Sequence, residues 1–133
     1  MAIVVGYVSN PEGRAALRRA AEEARFRSTR LIVINSNKGG SHLDAEDALH
    51  AEQELTEVRN RLDADGVEHE IRQLVRGKEP AEDLIAVAEE VDADFIVIGL
   101  RRRTPVGKLI LGSNAQRILL DAPCPVLAVK AEE

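Results

Sequence analysis

Short strand-like runs alternate with helix-spaced segments along this chain, and that alternation restricts the fold more than any single residue does. The runs occupy residues 2–8, 31–34, 67–75, 95–98 and 126–129. Brief apolar runs bounded by turn residues read as strands buried on both faces. The run at 67–75 differs. Val67, His69, Ile71, Gln73 and Val75 fall on one side, and Glu68, Glu70, Arg72 and Leu74 on the other. Such polarity suits the edge of a sheet.

The segments between the runs carry helix signals. Asn10 can cap a first turn and Pro11 is preorganised at the first helical position. Ala16, Leu17, Ala20, Ala21 and Ala24 then repeat at helical spacing, with side chains small enough for close approach to a sheet. A long helix is expected over residues 44–65, with Ala48, Ala51, Leu55, Val58 and Leu62 in one stripe ending at Gly66. Glu79 and Pro80 open a third helix, with Glu82 and Asp83 near its positive end. Its buried stripe is Ala81, Leu84, Ile85, Ala88 and Val91. Gly112 and Ser113 lead into a fourth, over residues 114–120. Five strands and four helices in strict alternation predict an α/β fold, an open parallel sheet with helices on both faces. At 133 residues the chain is expected to form one domain, residues 1–133.

In open parallel sheets, ligands bind outside the carboxyl ends of the strands, where strand order reverses. Val8 and Ser9 follow one apolar strand, Gly99 and Leu100 another, and they are candidates for two walls of one crevice. The second pair opens a loop carrying Arg101, Arg102, Arg103 and Lys108, which returns through Gly112 and Ser113 to Asn114 and a helix. Free N–H groups and a partial positive charge at a helix start suit a phosphate, and glycines permit close backbone approach. An ordinary crossover with a solvated cationic loop fits these residues equally well. Asn35, Ser36 and Asn37, before Gly39-Gly40, form either another border of the crevice or a plain connection.

Several function classes are disfavoured. A net charge of -5 and 2% aromatic residues argue against nucleic acid, which needs phosphate neutralisation and stacking platforms. No apolar run approaches the roughly 20 residues that span a membrane, and no signal peptide opens the chain. Cys124 is the only cysteine, so no intrachain disulfide can form and the cytoplasm is the expected compartment. Set between Pro123 and Pro125, it reads as a packing residue and not as a nucleophile. His42, His50 and His69 are too scattered to suggest a metal site. Gly107-Lys108 resembles the end of a Walker motif, but Leu109 stands where Ser or Thr is needed. No catalytic constellation is apparent.

Four segments together resemble the universal stress protein family over essentially the whole chain. They are IVVGYVSNPEGRAAL at 3–17, GKEPAEDLIAVAEEVDADFIVIG at 77–99, the stretch from Gly99 to Ser113 with its helix, and DAPCPVLAVK at 121–130. The resemblance implies a Rossmann-like sheet of order 3-2-1-4-5, of the adenine nucleotide alpha hydrolase type. It also implies a homodimer, and because the last strand in that order, Val126 to Val129, has nothing polar to protect an exposed edge, the subunits are expected to pair there. The nucleotide-binding branch of the family carries G-x-x-G, nine residues, then G followed by Ser or Thr, and binds ATP. Gly99, Gly112 and Ser113 match that pattern, whereas Arg102 stands at the second glycine. Where the family has Asp-Gly-Ser after its first strand, this chain has Val8, Ser9 and Asn10. Three readings therefore stand. One is a stress-response protein binding ATP or another adenine nucleotide through Val8, Ser9, Ser36, residues 99–103 and residues 112–114. Another is a dimeric interaction module that has lost nucleotide binding. The third is an enzyme such as an ATPase, with turnover expected to be weak at most, because no general base or metal-ligating carboxylate stands beside the loop.

Overall fold

The computed structural model describes residues 2–37, 45–75, 79–100 and 112–131. Arg101, Arg102, Arg103, Gly107, Lys108, Leu109, His42 and the Gly39-Gly40 pair lie outside them. The element order is β1 (Ala2–Gly6), α1 (Pro11–Arg27), β2 (Arg30–Asn37), α2 (Ala45–Ala64), β3 (His69–Val75), α3 (Pro80–Glu90), β4 (Phe95–Leu100), α4 (Ser113–Asp121) and β5 (Val126–Lys130). The strands form one parallel sheet of order β3-β2-β1-β4-β5. That is the topology the alternation and the family likeness imply.

The two-residue side-chain period of the central strands builds two cores. Ile3, Val5, Leu31, Val33 and Val97 point to the face covered by α1 and α2. Ala2, Val4, Ile32, Ile34, Ile96 and Ile98 point to the face covered by α3 and α4. Right-handed crossovers place the helix pairs this way, because the chain winds outward from β1 in both directions. The expected alanine stripe of α1 is buried at Ala16, Ala20 and Ala24, which lets that helix lie close to β1 and β4.

Several boundaries differ from the sequence expectation. Strand β1 ends at Gly6 and not at residue 8. Tyr7 still donates its N–H to the Ile34 carbonyl at 2.9 Å, but the Asn10 N–H turns back to the Val8 carbonyl and takes the chain out of the sheet. Asn35, Ser36 and Asn37 do not form a loop; they extend β2 and pair with Gln73, Leu74 and Val75 of β3. The Asn35 amide donates to the Tyr7 carbonyl at 3.1 Å, tying the end of β2 to the chain after β1. Strand β4 continues through Gly99 and Leu100, pairing with Val129 and Lys130. Strand β3 begins at His69 because Val67 is taken up by the end of α2, donating to the Leu62 carbonyl at 3.0 Å. In α3, Val87 is buried and was not in the expected stripe, while Val91 and Ile85 are half-buried.

Candidate functional site

The strand order reverses at β1, whose successor β2 lies on one side and whose other neighbour, β4, lies on the other. Their carboxyl ends open onto a crevice of about 540 Å³, within the range of small-molecule pockets. Three helix N-termini reach it. Asn10, Glu12 and Gly13 come from α1, Pro80 and Leu84 from α3, and Gly112, Ser113 and Asn114 from α4. Each helix start brings a partial positive charge; the first turn of α4, whose cap residue makes no side-chain hydrogen bond, is the one best placed to offer free N–H groups. Ile34, Ile98 and Ile118 add an apolar wall.

The N-termini of α1 and α3 are each held by a specific side-chain contact. The Asn10 side chain accepts from the Gly13 N–H at 2.7 Å, capping α1. Gly13 is obligatory in that turn, since a Cβ there would lie 1.9 Å from the Val8 carbonyl oxygen. Glu79 gives α3 no side-chain cap; instead Asn114 Oδ1 of α4 accepts from the Ala81 N–H at 3.2 Å. The two helices are further joined by Arg117 and Glu82 at 2.8 Å. Helix α4 has Gly112 at its cap position with no side-chain hydrogen bond.

The two glycines of the sequence motif do different things. A Cβ at Gly99 would lie 2.0 Å from the Glu12 carbonyl oxygen, so this glycine admits the protein's own backbone and lets α1 start against β4. At Gly112 a Cβ would meet nothing within 4 Å, and φ is an ordinary -69°. Among the described residues, none occupies the space beside it.

The crevice brings together Val8, Gly99, Leu100, Gly112, Ser113 and Asn114 of the sequence-derived set. Ser9 is not in its lining: its hydroxyl hydrogen-bonds Glu54 of α2. Ser36 lies in β2, opposite Leu74. Glu12 and Gly13 were missed. Gly13 had a signal, a glycine three residues after a capping asparagine. Glu12 had none beyond its place in the first turn of a helix, where carboxylates are common.

Tyr7 anchors the β1–α1 turn from the other side of the sheet. Its hydroxyl donates to Glu54 Oε1 at 2.8 Å. Burial first, then this bond to a carboxylate, push the phenol well above its usual range. Hydrogen bonding from Ser9, then from Tyr7, holds the Glu54 carboxyl below its usual range against the opposing effect of burial. A hollow of about 460 Å³ lies beside this group, between α1 and α2. Its lining sets Arg14, Arg18, Arg25 and Arg61 against Glu22, Glu54, Glu57 and Asp65, so it favours neither sign of ligand. Among the described residues no group of three His, Cys, Asp or Glu side chains is placed to hold a metal ion, and no helix is long and apolar enough to cross a membrane.

Comparison with known proteins gives the same frame. The model of the "Universal stress protein family" matches residues 1–130. A universal stress protein of Mycolicibacterium smegmatis is 49% identical over 128 residues, covering 96% of each chain. Among solved structures, a universal stress protein from Archaeoglobus fulgidus superposes with a TM-score of 0.83 at 43% identity, covering 98% of both chains. Another from the same organism, in complex with dAMP, gives 0.77 at 37% identity and the same coverage.

Proposed function

The chain belongs to the universal stress protein family, and on that footing we propose that its crevice binds an adenine nucleotide, ATP or AMP, in a stress-response or signalling role. The carrying observation is the convergence of three helix N-termini on one cavity beside the uncrowded Gly112. A phosphate at Gly112 and Ser113 would take the free N–H groups of α4, and the apolar wall would take the base. The 37%-identical relative solved with dAMP supports a nucleotide as the ligand class.

In this reading the crevice binds its ligand, with turnover weak at most. Among the described lining residues Glu12 is the sole carboxylate and no histidine is present, so neither a base pair nor a magnesium site is assembled there. The same fact favours one second reading, a nucleotide-independent interaction module, because the described lining holds an anionic side chain and no cation. Calorimetry with ATP, ADP and AMP, together with the mass of natively purified protein, separates the two. Saturable binding or co-purified nucleotide supports the first; no heat and an empty protein at millimolar ligand leave only the second.

The protein acts as a cytoplasmic homodimer in this reading, with β5 strands paired about a twofold axis. Strand β5 is a sheet edge with Val126, Leu127 and Val129 half-buried. Bonds from the Ile96 N–H to the Pro125 carbonyl and from the Ala131 N–H to the Leu100 carbonyl fix which backbone groups face β4. By the two-residue period, Ala128 directs its N–H to the open edge. Such an edge pairs readily with another strand. Leu127 packs on the α1-side core, so a charge there would injure the fold as well as any seam. Ala128→Pro is the cleaner test, removing an outward donor and no bond to β4. Light scattering should show a dimer for the natural chain and a weakened one for Ala128→Pro. A natural chain that is monomeric at micromolar concentration rejects the dimer.

A further inference from the structure

The Glu54 carboxylate of α2 is bound from two directions. Tyr7 donates its hydroxyl to Glu54 Oε1 at 2.8 Å, and the Ser9 hydroxyl hydrogen-bonds the same carboxylate. The two donors are held differently. Tyr7 is fixed to the sheet. Its side chain is buried, its N–H reaches the Ile34 carbonyl at 2.9 Å, and its carbonyl accepts from the Asn35 amide at 3.1 Å. Ser9 belongs to the turn between β1 and α1, whose Val8, Asn10 and Gly13 line the crevice. One carboxylate therefore ties α2 both to a fixed strand end and to the segment that faces the ligand space. Neither Ser9 nor Glu54 is in the described lining of the crevice, so the link runs behind it. Hydrogen bonds to an ionised acceptor are strong enough to carry such a link.

Helix α2 is the element suited to respond. A hollow of about 460 Å³ lies between it and α1, and its main neighbour is β3, at the edge of the sheet. Among its described residues Leu55, Val58 and Leu62 are the buried ones. An element with so few buried apolar contacts opens more easily than the strands beneath it. A ligand shifts an equilibrium only through its different affinity for the two states. A nucleotide touching the turn at Val8 to Gly13 favours the state in which the turn is in place, and that state keeps Ser9 on Glu54. We infer that Glu54 is a positioning residue that couples occupancy of the crevice to the closing of α2, so that bound nucleotide is read out as greater stability of this helix. The inference rests on the nucleotide reading above and adds to it the element that carries the signal.

Amide hydrogen exchange with and without AMP tests it, on the natural chain, Glu54→Ala, Glu54→Gln and Ser9→Ala, after calorimetry has found the AMP concentration that saturates each. The readout is residues 55–64, the half of α2 beyond Glu54, with the start of α4 as the mark of an occupied crevice. In the natural chain AMP should slow exchange at residues 55–64 by roughly tenfold, a typical coupling between sites. In Glu54→Ala and Ser9→Ala that slowing should shrink to about twofold or less while α4 stays protected. Glu54→Gln keeps one acceptor oxygen and should fall between. Ser9→Ala leaves the Tyr7 bond to Glu54 intact, so it decides the matter if Glu54→Ala does not fold. AMP that binds the natural chain without slowing α2 overturns the inference and leaves the nucleotide site standing. So does equal slowing in the natural chain and the variants, which would route the coupling elsewhere. A folded Ser9→Ala that binds no AMP overturns it too, since Ser9 would then be a ligand contact, and so does failure of both variants to fold, which would make the link structural. If the natural chain binds no AMP, ADP or ATP, the nucleotide reading falls and this one with it.

Discussion

Replacing Gly99 by alanine should damage the fold, and replacing Gly112 should not, although both glycines belong to one sequence pattern. An alanine Cβ at Gly99 would sit 2.0 Å from the Glu12 carbonyl oxygen, 2.6 Å from its carbonyl carbon and 3.0 Å from its Cβ. Carbon–oxygen contacts close at roughly 3.3 Å, so the nearest pair overlaps by more than ~1 Å. No side-chain rotation relieves this, because the two nearest obstacles are backbone. Either α1 withdraws from β4 or the end of β4 shifts, and β4 is fixed on its other side by Val129 and Lys130 of β5. Inserting a methylene into a tight core costs about 1–3 kcal/mol, and a backbone obstacle puts this case at the upper end, about 2–3 kcal/mol. For a chain of this size, each kcal/mol moves the melting midpoint by roughly 3–4 °C, so Gly99→Ala should melt about 6–12 °C lower. Gly112→Ala meets nothing within 4 Å at φ -69° and should stay within about 0.5 kcal/mol of the natural chain. Urea unfolding of all three proteins, with unchanged m-values as the check on two-state behaviour, measures both shifts. If Gly99→Ala unfolds at the midpoint of the natural chain, β4 and α1 are not in the contact described, and the account of this glycine is wrong.

Other consequences are equally direct. Asn10→Ala removes the bond to the Gly13 N–H and should cost about 1 kcal/mol in urea unfolding, whereas Asn10→Ser should retain most of it. Asn114→Ala strips the Ala81 N–H of its side-chain acceptor and should cost a further ~1 kcal/mol; an unchanged midpoint would mean that water caps α3 instead. The depressed Glu54 carboxyl contributes stability that is present above the ordinary glutamate range, near roughly pH 4.3, and is lost as pH falls through its lower folded value. Ser9→Ala should flatten that acid limb of the stability profile, and an identical limb would remove Ser9 as its main cause. Tyr7 is the single tyrosine, with no tryptophan in the chain, so phenolate absorbance reports it alone. Its raised ionisation gives stability that is full below about pH 10 and declines as pH rises beyond it, and a folded-state inflection near 10 would contradict the burial and the Glu54 bond.

The strands and helices were legible because the signals that specify them are local, whereas the strand order came from the family likeness. The buried strands repeat apolar residues without a break, as at Ile3, Val4 and Val5, and the helices announce their starts with Asn10-Pro11 and Glu79-Pro80. Hydrophobic periodicity and capping act within one or two turns of chain, so a sequence displays them directly. The crevice between the ends of β1 and β4 was legible for the same reason, since topology alone places Val8, Gly99 and Gly112 at one end of the sheet.

What the sequence did not display depends on contacts between distant segments. Asn35 to Asn37 look like a loop and become a strand because β3 lies alongside to pair with them. Ser9 sits beside the crevice in sequence and turns to Glu54, 45 residues away, on the opposite side of the sheet. Asn114 caps the helix of Ala81 and not its own. The matched glycines separate into one that admits backbone and one that leaves open space, a distinction no spacing pattern contains. Glu12, an unremarkable acid in a first helical turn, becomes the one charge in the described lining. A residue's type and its neighbours in the chain set its backbone preference; which atoms surround its side chain is decided only when remote strands and helices pack, because burial and hydrogen bonding are properties of that packed environment.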